Sequence, residues 1–272
     1  MLTYPSIDPA AFSIGPLKVH WYGLMYLFGF ISAWWIGVVR TRREYLDWTR
    51  RQVEDLIFYG ALGVILGGRL GYTLFYGWGA FVDNPLSIFY IWQGGMSFHG
   101  GMLGVFLAIL IYARGHDRRF FEVTDFVAPM IPLGLGLGRI GNFINGELVG
   151  RVADPNLPWA MIFPFVDSQP RHPSQLYQAL TEGLLLFFIL WLYASKPRPT
   201  MAVSGVFMIS YGSLRFFTEF FRTPDEHLGF IAFDWLTMGQ LLSLPMIMVG
   251  VLLLWLAMRT GASDEGLGAR KS

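Results

Sequence analysis

Three arginines, Arg69, Arg139 and Arg215, lie inside otherwise apolar stretches of this 272-residue sequence. An ionisable side chain is costly in such a setting, so by default it indicates a functional site. A guanidinium stays charged at any working pH and offers paired donors that match the oxygens of a phosphate. The three positions together predict recognition of an anionic group such as a lipid phosphate.

Other polar residues accompany these arginines. The run GRIGNFINGE places Asn142, Asn145 and Glu147 just beyond Arg139, and asparagine amides can hydrogen-bond glycerol or phosphate oxygens. The segment GGMSFHGG has glycines on both sides of His99, which would let a substrate approach the backbone closely. A histidine there can take or give a proton near neutral pH.

Structural roles compete with these functional ones. Arg215 can pair with Glu219 four residues further along a helix, which would not exclude phosphate binding. Arg69 can equally pair with a carboxylate or cap carbonyl groups between helices. A lone histidine such as His99 can equally be a hydrogen-bonded structural residue. The polar, glycine-rich setting of Arg139 favours a functional role there.

Composition predicts the elements that position these residues. Hydrophobic residues make up 54% and charged residues 14% of the chain, against roughly 25% charged residues in a soluble domain. The apolar residues form runs near the roughly 20 residues that a membrane-crossing helix needs. We therefore expect an all-α, polytopic membrane protein with about seven transmembrane helices and a small irregular extracytoplasmic cap. The expected spans are roughly 19–39, 53–76, 96–113, 123–142, 174–194, 201–221 and 234–258.

The basic residues of the loops predict the orientation of these spans. On one side lie 13 lysines and arginines and on the other only 4, which by the positive-inside rule makes the first side cytoplasmic. The richer side comprises Arg40, Arg42, Arg43, Arg50, Arg51, Arg114, Arg118, Arg119, Lys196, Arg198, Arg259, Arg270 and Lys271; the poorer side comprises Lys18, Arg151, Arg171 and Arg222. The N-terminus is expected outside and the C-terminus in the cytoplasm.

Two outer connections are long. Residues 77–95 carry aromatic side chains that favour the headgroup layer, including Trp78 and Trp92, and are expected to form an interfacial arm. Residues 143–173 contain five prolines, which argues for an irregular extracytoplasmic cap rather than another helix. Both belong to one integral membrane domain spanning 1–272.

The span directions place the polar residues at similar depth. With a rise of about 1.5 Å per residue, Arg69 lies roughly 24 Å and Arg215 about 21 Å along spans that run outward. Arg139 is near the outer end of its span, and Tyr22 and His99 are near the outer starts of theirs. The sequence therefore predicts one polar site in the outer half of the bilayer.

Several classes of protein are disfavoured by the sequence. There are no cysteines, which excludes disulfides, a cysteine nucleophile and thiolate metal sites, and the histidines are too scattered for a metal site. No cofactor is expected, and a net charge of +1 does not indicate a nucleic-acid binder. No Gly-x-Ser-x-Gly elbow of a serine hydrolase is present. The remaining alternative to a lipid-modifying enzyme is a transporter or channel for an anionic solute, although such sites tend to lie near the midplane of repeated folds.

At these motifs the sequence closely resembles the bacterial prolipoprotein diacylglyceryl transferases. The matching segments follow in order along nearly the whole chain: HWYGLMY, GGRLGY, GGMSFHGG, GRIGNFINGELVG, RHPSQLY and YGSLRFFTEFFR. The resemblance implies a multi-pass protein of the bacterial cytoplasmic (inner) membrane. It also implies transfer of the diacylglyceryl group of phosphatidylglycerol to the lipobox cysteine thiol of a prolipoprotein signal peptide, with release of glycerol phosphate.

The resemblance also implies roles for particular residues. Catalytic or binding roles are expected for Tyr22, His99, Arg139, Asn142, Glu147, Arg215 and Glu219. Contacts with phosphatidylglycerol are expected from Arg139, Arg215, Arg69, Asn142, Asn145, Gly100 and Gly150. His99 is the first candidate for the base that forms the thiolate, and Glu147 or Glu219 is the second.

The loop charges lead to a topology prediction. Because the chain contains no cysteine, single cysteines can be introduced without background labelling. Cysteines replacing Asp83 and Asn156 should react with a membrane-impermeant thiol reagent added outside intact spheroplasts, and one replacing Arg118 should not. Labelling at Arg118 with protection at Asp83 would invert the topology.

Overall fold

The computed structural model describes residues 2–15, 17–90, 94–224 and 229–268. The expected contributions of Trp92 to the interfacial arm, and of Arg270 and Lys271 to the basic tail, lie outside the described residues. The backbone divides into two compact units, one formed by Met1–Ala33 with Asp125–Ser272 and the other by Trp34–Thr124. The expectation of one membrane domain over 1–272 stays a prediction.

Most of the described chain is helical. The helices are α1 (Trp21–Arg40), α2 (Arg50–Phe75), α3 (Trp78–Asp83), α4 (Phe98–Gly115), α5 (Phe120–Val127), α6 (Pro132–Ile144), α7 (Ser174–Gln178), α8 (Leu186–Tyr193), α9 (Ala202–Thr218) and α10 (Met238–Gly268). Two 3₁₀ turns cover Pro85–Phe89 and Ala128–Met130, and a π-helix covers Ala179–Leu185. The short strands are β1 (Leu2–Thr3), β2 (Ala10–Ile14), β3 (Leu17–His20), β4 (Met161–Ile162) and β5 (Pro170–Arg171).

Several of these helices are long and apolar enough to cross a membrane, so the chain is a polytopic membrane protein. Five helices among the described residues qualify. They are α1, α2, α4, the continuous stretch Ser174–Tyr193 and the first 23 residues of α10. A broken span would make a sixth. The helix α9 occupies the expected sixth span but has only 17 residues, so the count of seven stays a prediction.

The expected continuous span at 123–142 is broken. The helical stretch Phe120–Met130 and α6 meet at an angle of 48°. Pro129 and Pro132 lie at this junction, and a proline has no N–H to donate to the preceding turn. The bend therefore separates α6, with Arg139, from the preceding helical part of the span.

In the unit Trp34–Thr124, α2 and α4 pack through glycines. A Cβ atom on Gly63 would lie 2.6 Å from the carbonyl oxygen of Gly104, and one on Gly67 would lie 2.8 Å from Gly104 Cα. A Cβ on Gly71 would lie 2.7 Å from Gly100 Cα. Small residues four apart allow such backbone contact in lipid, where packing rather than burial from water favours association.

A capping box sets the start of α2. Thr49 Oγ1 accepts from the backbone N–H of Gln52, and the Gln52 side chain accepts from the N–H of Thr49. Ser97 caps α4 by accepting from the N–H of Gly100 at 3.2 Å. This cap and the glycine contacts define the first turn of α4, where His99 lies.

In the other unit, two small sheets depart from the expected all-α fold. The strand β1 pairs in parallel with β4, β4 pairs with β5, and β2 and β3 form a separate antiparallel pair. Residues 145–173 contain no helix, as their prolines predict. Their backbone N–H and C=O groups instead form hydrogen bonds in short strands and turns. The location of this segment outside the membrane stays a prediction.

The glycine contacts lead to a stability prediction. A Cβ at Gly104 would clash with the backbone of Gly63, so Gly104→Ala should separate α2 from α4 and destabilise the protein by about 1–3 kcal/mol. Thermal unfolding in detergent measures the effect. Gly60→Ala is the matched control, because a Cβ at Gly60 meets nothing within 4 Å. A Gly104→Ala protein that melts no lower than the Gly60→Ala protein would contradict the packing.

Candidate active site

The helix α6 reaches the fifth span through a contact between two glycines. A Cβ on Gly136 would lie 2.9 Å from Gly183 Cα, and a Cβ on Gly183 would lie 2.7 Å from Gly136 Cα. Gly183 is part of the π-helix Ala179–Leu185, a form that often occurs as a short insertion at functional sites. The approach brings Glu182, next to Gly183, close to Arg139 of α6.

Glu182 is a fully buried carboxylate shared by two arginines. Its Oε2 accepts from Arg139 Nη2 at 3.3 Å and from Arg139 Nε at 3.4 Å. Its Oε1 lies 3.5 Å from Arg215 Nη1 and accepts from Thr218 Oγ1 at 3.3 Å. Residues from α6, the π-helix and α9 therefore meet at one carboxylate.

The charges continue along the end of α9. Arg215 Nη2 lies 2.9 Å from Glu219 Oε2, as the spacing of four residues allows. The other oxygen of Glu219 accepts from Arg222 Nη1 at 3.0 Å. Gly239 makes room for this carboxylate, since a Cβ there would lie 2.8 Å from Glu219 Cδ.

The resulting cluster alternates in sign and has one more cation than anions. Both carboxylates are almost completely buried, while the side chains of Arg139 and Arg215 keep 20% and 15% of their exposure. Arg215 Nη1 makes no hydrogen bond to any described residue. The excess positive charge and the remaining donor capacity suit an anionic ligand of planar or tetrahedral oxygens.

The turn after α6 holds a third carboxylate, that of Glu147. Asn142 Nδ2 donates to Glu147 Oε2 at 2.9 Å, and Asn145 Nδ2 donates to Glu147 Oε1 at 3.2 Å. Gly146 between them has φ +69°, a conformation that few side chains tolerate. Glu147 is exposed, so it carries a charge held by two amides and open to a substrate.

The chain after Glu147 is attached to the start of the fifth span. Gln175 Nε2 donates to the carbonyl of Glu147 at 2.6 Å, and Ser174 Oγ donates to the carbonyl of Leu148 at 2.9 Å. Gly150 is buried, and a Cβ there would lie 2.8 Å from the carbonyl oxygen of Phe221. Gly150 therefore has a packing role in the structure, and its contact with phosphatidylglycerol stays a prediction.

Tyr22 lies at the start of α1 against the signature turn. A Cβ on Gly141 would lie 2.9 Å from the Tyr22 ring. The Tyr22 hydroxyl interacts with the Asn142 side chain through a hydrogen bond and with the Glu147 carboxylate electrostatically. Its hydroxyl is also 3.4 Å from that of Tyr26. The structure thus brings Tyr22 together with Asn142 and Glu147, two other residues for which a role is expected.

The expected residues of the unit Trp34–Thr124 are His99, Gly100 and Arg69. His99 is exposed in the first turn of α4, with its ring against Phe98 at a centroid distance of 5.6 Å. Gly100 packs on α2, because a Cβ there would lie 2.9 Å from Gly71 Cα. Helix packing accounts for this glycine, and its contact with phosphatidylglycerol stays a prediction.

Arg69 is engaged by backbone carbonyl groups. Its Nε donates to Ile88 at 2.8 Å, its Nη1 donates to Gly94 at 2.7 Å and Gly95 at 3.1 Å, and its Nη2 donates to Ser87. This is the structural alternative, in which Arg69 caps carbonyls. It fastens the expected interfacial arm to α2, and a phosphate contact stays a prediction.

Comparison with known proteins assigns the chain to a family. A family model described as prolipoprotein diacylglyceryl transferase matches residues 9–256. The chain belongs to this family. It is 59% identical to the phosphatidylglycerol–prolipoprotein diacylglyceryl transferase of Legionella pneumophila (strain Lens) over 255 residues, which cover 94% of this chain and 99% of that protein. It is 59% identical to the transferase of the same name from Coxiella burnetii (strain RSA 331 / Henzerling II) over 259 residues, which cover 95% and 98%.

This member of the transferase family has site residues that the sequence analysis missed. Glu182 and Tyr211 are the clearest. The Tyr211 hydroxyl forms a hydrogen bond with Arg139 and interacts electrostatically with Arg215 and Glu182. Glu182 carried a usable signal, since it is an acidic residue inside an expected span. An ionised side chain inside a span is energetically unfavourable whether it is an arginine or a glutamate, so the reasoning used for the arginines also applies to Glu182.

The shared carboxylate leads to a prediction for this family member. Glu182→Ala leaves two largely buried guanidiniums without their common partner, so the protein should lose about 3–5 kcal/mol of unfolding free energy. Unfolding in detergent measures the loss. Glu54→Ala is the control, because Glu54 pairs with Arg50 at an exposed site, where an ion pair contributes about 0–1 kcal/mol. Equal losses for the two variants would show that the Glu182 contacts are weak.

Proposed function

We propose that this chain transfers the diacylglyceryl group of phosphatidylglycerol to the lipobox cysteine thiol of prolipoproteins. The observation that carries the proposal is the convergence of Arg139 and Arg215 on Glu182, in a chain that belongs to the transferase family. The relatives from Legionella and Coxiella carry this lipid and this protein substrate in their names. The arginine cluster supplies the positive charge that an anionic phospholipid needs.

The phosphate of the lipid binds between Arg139 and Arg215. Arg215 Nη1 has donor capacity not taken up by a hydrogen bond to described residues, and both arginines are partly exposed. Glu182 holds the two guanidiniums together and thereby offsets their mutual repulsion. The cluster binds the phosphate in the ground state and stabilises it further as negative charge develops on the leaving oxygen.

The reaction is a substitution at carbon. The cysteine thiolate attacks the glyceryl carbon that is bonded to the phosphate oxygen, and a C–S bond forms. The C–O bond breaks, its electron pair goes to that oxygen, and glycerol phosphate leaves. The thiol proton passes to a base, because the thiolate is the reactive form of cysteine.

Two groups are suited to act as this base. His99 is exposed in the first turn of α4, and an imidazole can accept a proton from a thiol. Glu147 is exposed and held by two asparagine amides. Glu219 is less suited, because both of its oxygens lie against guanidiniums and it is buried. His99 is our first assignment and Glu147 the second.

The remaining site residues orient the substrates. Tyr22, Asn142 and Asn145 lie around Glu147 and offer hydroxyl and amide groups to glycerol or phosphate oxygens. Gly100 packs closely on α2 and Gly150 packs on the backbone at Phe221, and both are included in the proposed lipid site. Arg69 supports the lipid site indirectly, because it holds the segment 77–95 against α2. These assignments extend the expectations drawn from the family resemblance.

The membrane arrangement is part of the proposal. The chain is one integral domain of the bacterial inner membrane with seven transmembrane helices, with α9 and the bent pair each counted as one span. The N-terminus is outside and the C-terminus in the cytoplasm, as the loop charges indicate. Residues 77–95 lie in the interface and residues 143–173 form the outer cap, so transfer occurs at the outer leaflet.

Direct measurement of transfer tests the proposal. The purified protein is incubated with phosphatidylglycerol and a lipobox peptide, and the mass of the peptide is determined. The expected gain is one diacylglyceryl group for each cysteine, with none on a peptide in which serine replaces cysteine. No gain would overturn the proposed function. Family membership favours this activity over anion transport, for which the described residues provide no separate support.

The phosphate site leads to a prediction for Arg139. Arg139→Lys keeps the charge but loses the paired donors, so turnover should fall by at least about tenfold while the protein still inserts and accumulates. Arg50→Lys is the control at an exposed position. Wild-type turnover in the Arg139→Lys protein would remove Arg139 from the site.

The assignment of the base leads to a prediction for His99. His99→Asn keeps hydrogen-bonding capacity but cannot take a proton near neutrality, so turnover at saturating lipid should fall by about 10²–10⁴-fold. His116→Asn, at the other end of α4, is the control. Undiminished turnover would leave His99 with a structural role and transfer the assignment to Glu147.

A further inference from the structure

A pocket of about 200 Å³ lies between the N-terminal segment and the turn after α6. Apolar residues form much of its lining, namely Ile7, Pro9, Ile144 and Phe165. An apolar cavity of about 150 Å³ is large enough to hold benzene. The pocket therefore accommodates one aliphatic or aromatic side chain.

The walls of the pocket are fastened together. Tyr4 lines it, and the Tyr4 hydroxyl donates to the carbonyls of Phe143 and Ile144, both at 2.8 Å. The backbone N–H of Tyr4 donates to the carbonyl of Ile162 at 2.9 Å. The N-terminal segment is thus bound to both α6 and β4, and the pocket is built before any ligand arrives.

The pocket carries an unused hydrogen-bond acceptor. Asn145 lines it, and Asn145 Oδ1 is buried without a hydrogen-bond donor among the described residues. A buried acceptor without a donor is unfavourable, so this oxygen favours a ligand with an N–H or O–H group. The amide nitrogen of the same side chain donates to Glu147, so a residue of the pocket lining contacts one of the two candidate bases.

A strand edge runs into the same pocket. The strand order β1–β4–β5 makes β1 an edge, and both Leu2 and Thr3 are exposed. Leu2 and Tyr4 donate their N–H groups to the β4 side. In a parallel pair alternate residues bond to the partner, so the N–H and C=O of Thr3 point away from β4. Such an edge can accept an extended peptide as an added strand.

We propose that this pocket and the free edge of β1 bind the prolipoprotein peptide beside its acceptor cysteine. The proposal rests on the proposed function and adds a peptide subsite to it. The peptide lies extended along Thr3, inserts one apolar side chain between Ile7, Ile144 and Phe165, and donates a backbone N–H to Asn145. This leaves the cysteine next to Glu147 and the arginine cluster.

The chemistry of the pocket fits the peptide better than the lipid. A peptide supplies alternating backbone donors and acceptors together with side chains, and a signal peptide contains an apolar segment before its small-residue cleavage region. The diacylglyceryl group supplies long chains without donors. Among the described residues, no arginine or lysine lines the pocket, so none of them offers it a cation for the lipid phosphate.

Peptide binding is measured separately from transfer. A fluorescent lipobox peptide with serine in place of cysteine cannot accept lipid, so its Kd for the purified protein in micelles reports on binding alone. Ile7→Trp fills the pocket and should raise this Kd by about tenfold or more. A steric misfit of even one methylene in an apolar pocket can change affinity by about that factor. The KM for phosphatidylglycerol should stay within twofold of wild type. Ile14→Trp, at an exposed position of β2, is the matched control and should change neither value.

A second pair of variants tests the strand edge. It also keeps the proposal testable if the Ile7→Trp protein does not fold. Thr3→Pro removes the outward N–H but leaves the bonds from Leu2 and Tyr4, so it should raise the peptide Kd, whereas Thr3→Val should not. An unchanged peptide Kd in correctly folded Ile7→Trp and Thr3→Pro proteins would overturn the peptide subsite. A rise in the KM for phosphatidylglycerol with no rise in peptide Kd would assign the pocket to lipid and also overturn it. Absence of transfer by the wild-type protein, with the peptide Kd responding as expected, would instead count against the proposed function.

Discussion

The site depends on one buried carboxylate, Glu182, shared by Arg139 and Arg215. Two guanidiniums brought this close repel each other, and in a membrane interior neither can be solvated cheaply. Glu182 offsets this repulsion with contacts of 3.3 to 3.5 Å. Together with Glu219 it leaves the three arginines of the cluster with one excess positive charge, which suits an anion. Under the proposed function, the charges that stabilise the fold also bind the phosphate.

The backbone must approach closely for this carboxylate to be shared. Gly136 and Gly183 touch, and any side chain at either position would move Glu182 away from Arg139. Close contact between glycines also holds α4 against α2, through Gly63, Gly67 and Gly104. In lipid the hydrophobic effect does not favour one helix contact over another, so close packing of small residues determines which helices meet.

The chemistry is divided between rigid and exposed elements. The arginine cluster lies on helices and is mostly buried, which suits stabilisation of developing charge without reorganisation. Glu147 and Asn145 lie on the turn after α6, which the bonds from Ser174 and Gln175 hold in place, and Asn142 lies in the last turn of α6. The peptide pocket that we propose shares Asn145 with that turn. One short segment would then orient the thiol relative to the lipid.

The sequence by itself determined that the chain crosses a membrane, which family it resembles and where its arginines lie. Run length and the cost of buried charge are local properties, so they can be calculated from neighbouring residues. Local pattern also predicted the non-helical segment with its prolines. It did not predict the bend within the span at 123–142, where Pro129 and Pro132 lie, and it missed the short strands of the expected all-α fold.

Only the tertiary structure decided the partners of these residues. Arg139 and Glu182 are 43 positions apart, and no local pattern connects them. For Arg69 the sequence left a phosphate contact and a carbonyl cap equally open, and the chain around it supplied four carbonyls. The physical reason is the same in both cases. Sequence shows which groups need a partner, whereas the partner itself depends on which distant backbones approach closely enough to provide it.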